Sequence, residues 1–309
     1  MNAFFAILNQ IAYLFAFIII GYVLTGWRVL PEGSASVLSK LENNLFIPAL
    51  VLSTFIENFT IDRISQAREL LGVSVVIALL MAVVAVIISR IVTRDEYIRR
   101  IYTYGLAFSN FGFMGNAVMS CLYPDIFFEY LIFTLPLWTL IYVWGVPSLL
   151  LKDSGKKQTL KQSAKSFVNP MFIAMVIGMV IGLAGLPVPG WIMSVVDVSA
   201  DCMSPMAMIL TGCVVASVSL KKTLSNVGVY IVSVIRLLII PAVFIAVCSI
   251  VKLPDTVYIC ALFSLAMPLG LNTIVIPSAY GKDTTVAAGM AIVSHLMALV
   301  TIPLVISYM

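Results

Sequence analysis

Apolar residues run through this chain in long stretches, and the sparse charged positions mark their ends. No Asp, Glu, Lys or Arg occurs in Met1 to Trp27, Leu70 to Ser89, Ile101 to Pro124, Tyr130 to Leu151, Ser166 to Val196, Thr256 to Gly281 or Thr284 to Met309. The shortest of these stretches holds 20 residues, about what an α-helix needs to cross the ~30 Å hydrocarbon core of a bilayer. Three further stretches are less clean. They are Asn43 to Ile56 reached back through Lys40 and Glu42, Cys202 to Leu220 reached back through Asp197 and Asp201, and Thr223 to Val251 with Arg236 inside it. The pattern predicts an all-α polytopic membrane protein of ten transmembrane helices. Ten helices of about 21 residues leave about 100 positions for loops and tails, too few for a soluble catalytic or nucleotide-binding domain.

Composition sharpens this. The 309 residues are 61% hydrophobic and 10% charged, against about 25% charged in a typical soluble domain, so a soluble globular fold is excluded. The first apolar stretch lacks a basic leader and is longer than a signal-peptide core, so it is expected to be the first span rather than a secretory signal. The five cysteines, Cys121, Cys202, Cys213, Cys248 and Cys260, are odd in number, form no CxxC and lie in or beside apolar segments, which predicts free buried thiols. Asn58-Phe59-Thr60 is a glycosylation sequon of a kind that arises easily by chance.

Basic residues near span ends are retained on the cytoplasmic side. With the N-terminus outside, 14 of the 18 Lys and Arg fall in alternate, cytoplasmic loops, and only Arg63, Arg68 and Lys252 face outward. The expected location is therefore the cell inner (plasma) membrane, multi-pass, with both termini outside. The net charge of +4 follows from this retention and points to no nucleic-acid partner.

The most hydrophilic stretch, Lys152 to Lys165, divides the chain into a first five-helix repeat (1–151), a cytoplasmic linker loop (152–168) and a second repeat (169–309). An odd number of spans per repeat obliges the second copy to enter the membrane upside down, the inverted repeat of secondary transporters. Matches at a nearly constant offset agree. Pro48 lies 157 positions before Pro205, with Asn44 opposite Asp201, and Gly112 lies 158 before Gly270, with Asn110 opposite Pro268.

Pro, Gly and Asn are costly in a lipid-embedded helix because each disturbs the backbone hydrogen bonding or brings a polar group that must find partners. The fourth span concentrates Asn110, Gly112, Gly115 and Asn116, and the ninth Pro268, Gly270 and Asn272. Two such interruptions at corresponding places predict broken helices around a substrate site near the bilayer centre, where half-helix N-termini offer N–H groups to an anion. Isolated prolines such as Pro136, Pro147, Pro241, Pro277 and Pro303 read as kinks, and Gly178 with Gly182 as a close-packing GxxxG pair.

These motifs carry a resemblance. Asn44-Leu45-Phe46-Ile47-Pro48, Asn110-Phe111-Gly112-Phe113-Met114-Gly115, Asn169-Pro170, Arg236 through Pro241, and Ala266-Met267-Pro268 through Tyr280-Gly281 resemble the auxin efflux carrier family, whose bacterial members are related to malonate and malate permeases. The resemblance covers nearly the whole chain. It implies crossing fourth and ninth helices, a scaffold domain against a transport domain, elevator-type alternating access and, in many members, a homodimer. It extends the substrate site to Asn44 and Pro48. Ala117 stands where the family usually has Pro, so the crossing here is expected to rest on Asn110, Gly112 and Gly115, with Asn116 as an added polar group.

Charges within the spans complete the candidates. Arg236 needs a partner, an anionic substrate, a carboxylate or a structural acceptor. Asp197 and Asp201 share one helix face, and Asp201 is the better candidate for coupling to H⁺ or Na⁺. His295, the only histidine, reads as a hydrogen-bonded packing residue. No HExxH, GxSxG, Walker loop or metal-spaced cluster is present, so a membrane enzyme is disfavoured and no cofactor is expected. The leading expectation is a secondary transporter of small organic anions, with a passive channel or a transporter-derived sensor as the alternative.

Overall fold

The computed structural model describes residues 3–59, 67–152, 170–217 and 219–306. The sequon's Thr60, the basic loop 153–168, Asn169 and the side chains of Ala117 and Cys121 lie outside the described residues. The described residues are mostly helical, with no strand among them. In chain order the helices are α1 (Ala3–Gly26), α2 (Ser34–Leu41), α3 (Ile47–Asn58), α4 (Arg68–Val92), α5 (Glu96–Ala107), α6 (Asn116–Leu122), α7 (Phe127–Leu140), α8 (Pro170–Ala184), α9 (Gly190–Asp201), α10 (Met203–Ser217), α11 (Leu220–Leu224), α12 (Val227–Val234), α13 (Ile240–Cys248), α14 (Asp255–Ala266), α15 (Asn272–Ala279) and α16 (Thr285–Ile306). Among the described residues, five helical runs are long and apolar enough to cross a membrane: Arg68–Val92, Pro124–Leu150, Gly190–Ser217, Val227–Cys248 and Thr285–Ile306. Pro170–Ala184 and Asp255–Ala266 are shorter apolar helices, and Ala12–Gly26 is an apolar stretch of α1.

Their faces are inverted relative to a soluble protein. On α4 the large aliphatic residues Val76, Leu79, Leu80, Val83 and Ile91 are exposed, while Ser74, Ala78, Ala85 and Ser89 are buried. The buried hydroxyls are bonded: Ser74 donates to the Phe133 carbonyl, and Ser89 shares a 2.6 Å hydrogen bond with Thr103. Without a hydrophobic drive between helices in lipid, packing of small residues and interhelical hydrogen bonds hold them together.

Two helix pairs show how close that packing is. At the α1–α10 contact, a Cβ on Gly212 would collide with the Ile18 carbonyl oxygen and the Tyr22 nitrogen, and one on Gly21 with the backbone of Ile209. At the α8–α3 contact, a Cβ on Gly178 would meet Phe55 Cβ and one on Gly182 the Phe55 carbonyl oxygen. In each pair a helix from the N-terminal part of the chain lies backbone-to-backbone on one from the C-terminal part.

π-helical turns interrupt several of the helices, at Glu42–Phe46, Phe111–Gly115, Ile141–Leu150 and Ile235–Ile239. Two of them precede a proline, Pro48 and Pro241, which opens the next helical segment. A proline has no N–H to give the preceding turn, and the wider register accommodates the missing bond.

Gly212→Ala is expected to lower the thermal unfolding midpoint in detergent, since overpacking costs about 1–3 kcal/mol. Gly72→Ala on α4, where an added Cβ has open space, should leave the midpoint unchanged or raised. Equal midpoints for the two variants would refute the close α1–α10 approach.

Candidate functional site

The two helix breaks face each other. Helix α5 ends at Ala107 and α14 at Ala266, and the next residue in each case is extended: Phe108 at φ −120°, ψ 112° and Met267 at φ −68°, ψ 150°. The extended pieces form an antiparallel bridge between Ser109 and Leu269. Asn110 N–H donates to the Pro268 carbonyl (2.8 Å), and Gly270 N–H to the Phe108 carbonyl (3.2 Å). Glycine is required at position 270, because a Cβ there would lie 2.6 Å from the Phe108 carbonyl oxygen.

Interrupting two helices frees backbone groups that lipid cannot satisfy, and side chains take most of them. Arg236, 1% exposed, sends Nη1 to the Leu106 carbonyl (2.9 Å), Nη2 to the Ser264 carbonyl (3.0 Å) and Nε to the Met267 carbonyl (3.4 Å). One guanidinium thus caps the C-terminal ends of α5 and α14 together, and its charge answers the negative ends of both helix dipoles. Ser109 donates to the Ser264 carbonyl (2.6 Å), Tyr130 to the Phe111 carbonyl (3.1 Å) and Ser204 to the Phe113 carbonyl (2.8 Å). The Leu269 N–H donates to Ser294 Oγ (3.3 Å).

Three asparagines line the N-terminal sides of the breaks, all buried. His295 Nδ1 lies 2.8 Å from the Ala291 carbonyl, which can only accept, so Nδ1 carries the proton and Nε2 is the acceptor. Asn110 Nδ2 donates to that Nε2 at 2.9 Å, leaving its Oδ1 without a partner. Asn272 Nδ2 donates to the Tyr104 hydroxyl at 3.1 Å, and its Oδ1 is likewise unpartnered, as is that of Asn116. At the start of Phe111–Gly115 the Met114 and Gly115 N–H groups donate to the Asn110 carbonyl, and at the start of α15 those of Thr273 and Ile274 donate to the Gly270 and Leu271 carbonyls. Gly112 and Gly115 are buried under Trp138 and Tyr130, whose rings occupy the space a side chain would need. The breaks therefore hold neutral donors and acceptors inside an apolar, aromatic surround, without an ion pair.

The sequence-predicted residues separate into three places. Asn110, Gly112, Gly115, Asn116, Pro268, Gly270 and Asn272 come together at the breaks, and Arg236 joins them through backbone carbonyls. Asn44 is exposed and its amide donates to Lys40 O on its own helix (2.7 Å), and Pro48 opens α3. Asp197 and Asp201 line a separate cavity of about 600 Å³ with Glu57, Asp125 and Glu129, and no residue of the breaks lines it. Asp197 accepts from Ser53 Oγ at 2.6 Å, and Asp201 is exposed. Sequence reasoning left His295 among the packing residues because its partner is 185 positions away. It also counted Glu42 as a blemish at a span end, although the structure buries Glu42 completely.

A polytopic helical membrane protein whose two halves meet through paired, mutually hydrogen-bonded helix breaks belongs to the class of membrane transporters. The chain is a member of the membrane transport protein family, that of the auxin efflux carriers: the family model matches residues 6–306. This is a family of transporters, not of enzymes. No curated protein matches the chain.

Replacing Arg236 by Met leaves at least the Leu106 and Met267 carbonyls unpaired, at about 1–3 kcal/mol each. The expected outcome is a large fall in thermal midpoint, only partly restored by Arg236→Lys. A midpoint equal to wild type in Arg236→Met would contradict the capping role.

Proposed function

We propose that the protein is a secondary transporter of small organic anions, mono- or dicarboxylates such as malonate, malate or auxin-like acids, working by elevator-type alternating access across the cell membrane. The observation that carries this reading is the pair of helix breaks bonded to one another through Asn110–Pro268 and Gly270–Phe108. Half-helices begin just after the breaks, beside the buried amides of Asn110, Asn116 and Asn272. Half-helix N-termini in a water-poor surround bind negative charge without a fixed cation, and a site without a permanent counter-ion can release its cargo on the far side.

The ten-span inverted repeat is part of the same proposal. It is supported by the reciprocal packing of α1 on α10 and of α8 on α3, and by breaks in matching places of the two halves. Basic residues concentrated in alternate loops support an orientation with both termini outside. The acid-lined cavity of Glu57, Asp125, Glu129, Asp197 and Asp201 favours a cation travelling with the anion, because five carboxylates around one cavity raise the local concentration of H⁺ or Na⁺.

Proteoliposomes loaded with unlabelled malonate and given labelled malonate outside test the reading. Counterflow is expected for a carrier, and simple flux for a pore. Asn110→Ala and Asn272→Ala are each expected to abolish exchange at normal expression, whereas unchanged exchange in both would remove the site from the breaks.

A further inference from the structure

Glu42, Arg236 and His295 are all buried in the helical core, and two of them are committed. Arg236 is spent on three carbonyls, and His295 on Asn110 and Ala291. The third is Glu42. It is 0% exposed, and neither carboxyl oxygen has a hydrogen-bond partner. We infer that Glu42 is the proton-carrying group of the transport cycle, and the inference rests on the transporter reading above.

An ionised carboxylate sealed from water without a partner carries a very large desolvation cost, so the packing seen here admits the neutral acid only. No charged group relieves that cost. Around the turn Glu42–Phe46 pack α8, α9, α10 and α15 together with the flanking α2 and α3. Helices α8 and α15 carry no titratable residue, and α10 carries only Cys213. Lys40 on α2 is exposed, and Asp197 and Asp201 of α9 and Glu57 of α3 belong to the acid-lined cavity.

The position ties the proton to the moving parts. Glu42 opens a π-helical turn, a local insertion of one residue, and recovering the α register would turn a side chain by about 100° around the axis. That turn packs against α15, the half-helix that begins at Asn272 in the breaks, and Ser39, three residues earlier, donates its hydroxyl to the Val275 carbonyl of α15. Loss of the proton requires water at Glu42, and water can enter only if this turn and the helices packed on it, α15 among them, part. Protonation therefore favours the packed arrangement described here, and release of one H⁺ to the aqueous side favours a hydrated one. The carboxyl takes that proton from water on one face of the membrane and returns it on the other, so no further reactant is needed.

Two measurements test this on the full-length protein. A hydrophobic carbodiimide adds to neutral carboxylic acids in apolar surroundings, giving a stable N-acylurea. An adduct at Glu42 by mass spectrometry, absent in Glu42→Gln, is the expected result. No adduct at Glu42 at any pH would overturn the inference. In proteoliposomes, a gradient of one pH unit gives about a tenfold driving force per proton. Wild type is expected to accumulate labelled malonate under that gradient, and Glu42→Gln to keep malonate counterflow while losing the accumulation. Gradient-driven accumulation by Glu42→Gln equal to wild type would also overturn it. If wild type moves no carboxylate, the substrate reading fails and the carbodiimide result decides Glu42 on its own.

Discussion

The constraint on which the rest of this structure depends is that backbone groups in lipid must be bonded by the protein itself. Two helices are broken in the interior, and each break frees carbonyls that water would ordinarily satisfy. A single guanidinium closes the ends of both at once. Because Arg236 reaches Leu106 on one helix and Ser264 and Met267 on the other, neither helix end can move without the other. The two helix ends are thus tied to one another, and the polar side chains that follow them at the breaks are neutral, amides among them.

That division of labour explains the economy of charge. Arg236, buried in the core, maintains architecture, and Asn110 and Asn272 at the breaks are oriented by neutral partners. His295 decides which atom of Asn110 faces inward, since its own proton is fixed on the Ala291 side. The carboxylates gather instead in a cavity beside α9 and α7, away from the breaks. Glu42 stands between these two regimes, buried like Arg236 but with no acceptor or donor to hold it.

Much of this was legible in the sequence. Charge-free stretches marked the helices, and clusters of Asn, Gly and Pro marked the two breaks, because both signals are local. The Gly178–Gly182 spacing foretold the close approach of α8 to α3. What escaped was set by distant partners. Nothing in the residues around Arg236 indicates that its acceptors are carbonyls 28, 31 and 130 positions away. Glu42 follows Lys40 and precedes two asparagines, so it reads as the polar edge of a span, and only the helices packed around its turn reveal a buried acid. Asn44 shows the converse: a motif residue whose side chain turns back to its own helix.

The bridge between Ser109 and Leu269 also has a consequence for biogenesis. The first break leaves the ribosome half a chain before the residues that complete it. Until α14 and α15 have entered the bilayer, the Phe108 carbonyl and the Asn110 N–H lack their partners, and the Leu106 carbonyl still awaits Arg236. The first half must therefore wait in the membrane as a continuous helix or sheltered by the insertion machinery. Its interruption can form only when the second half arrives, so the last step of folding is also the step that assembles the breaks.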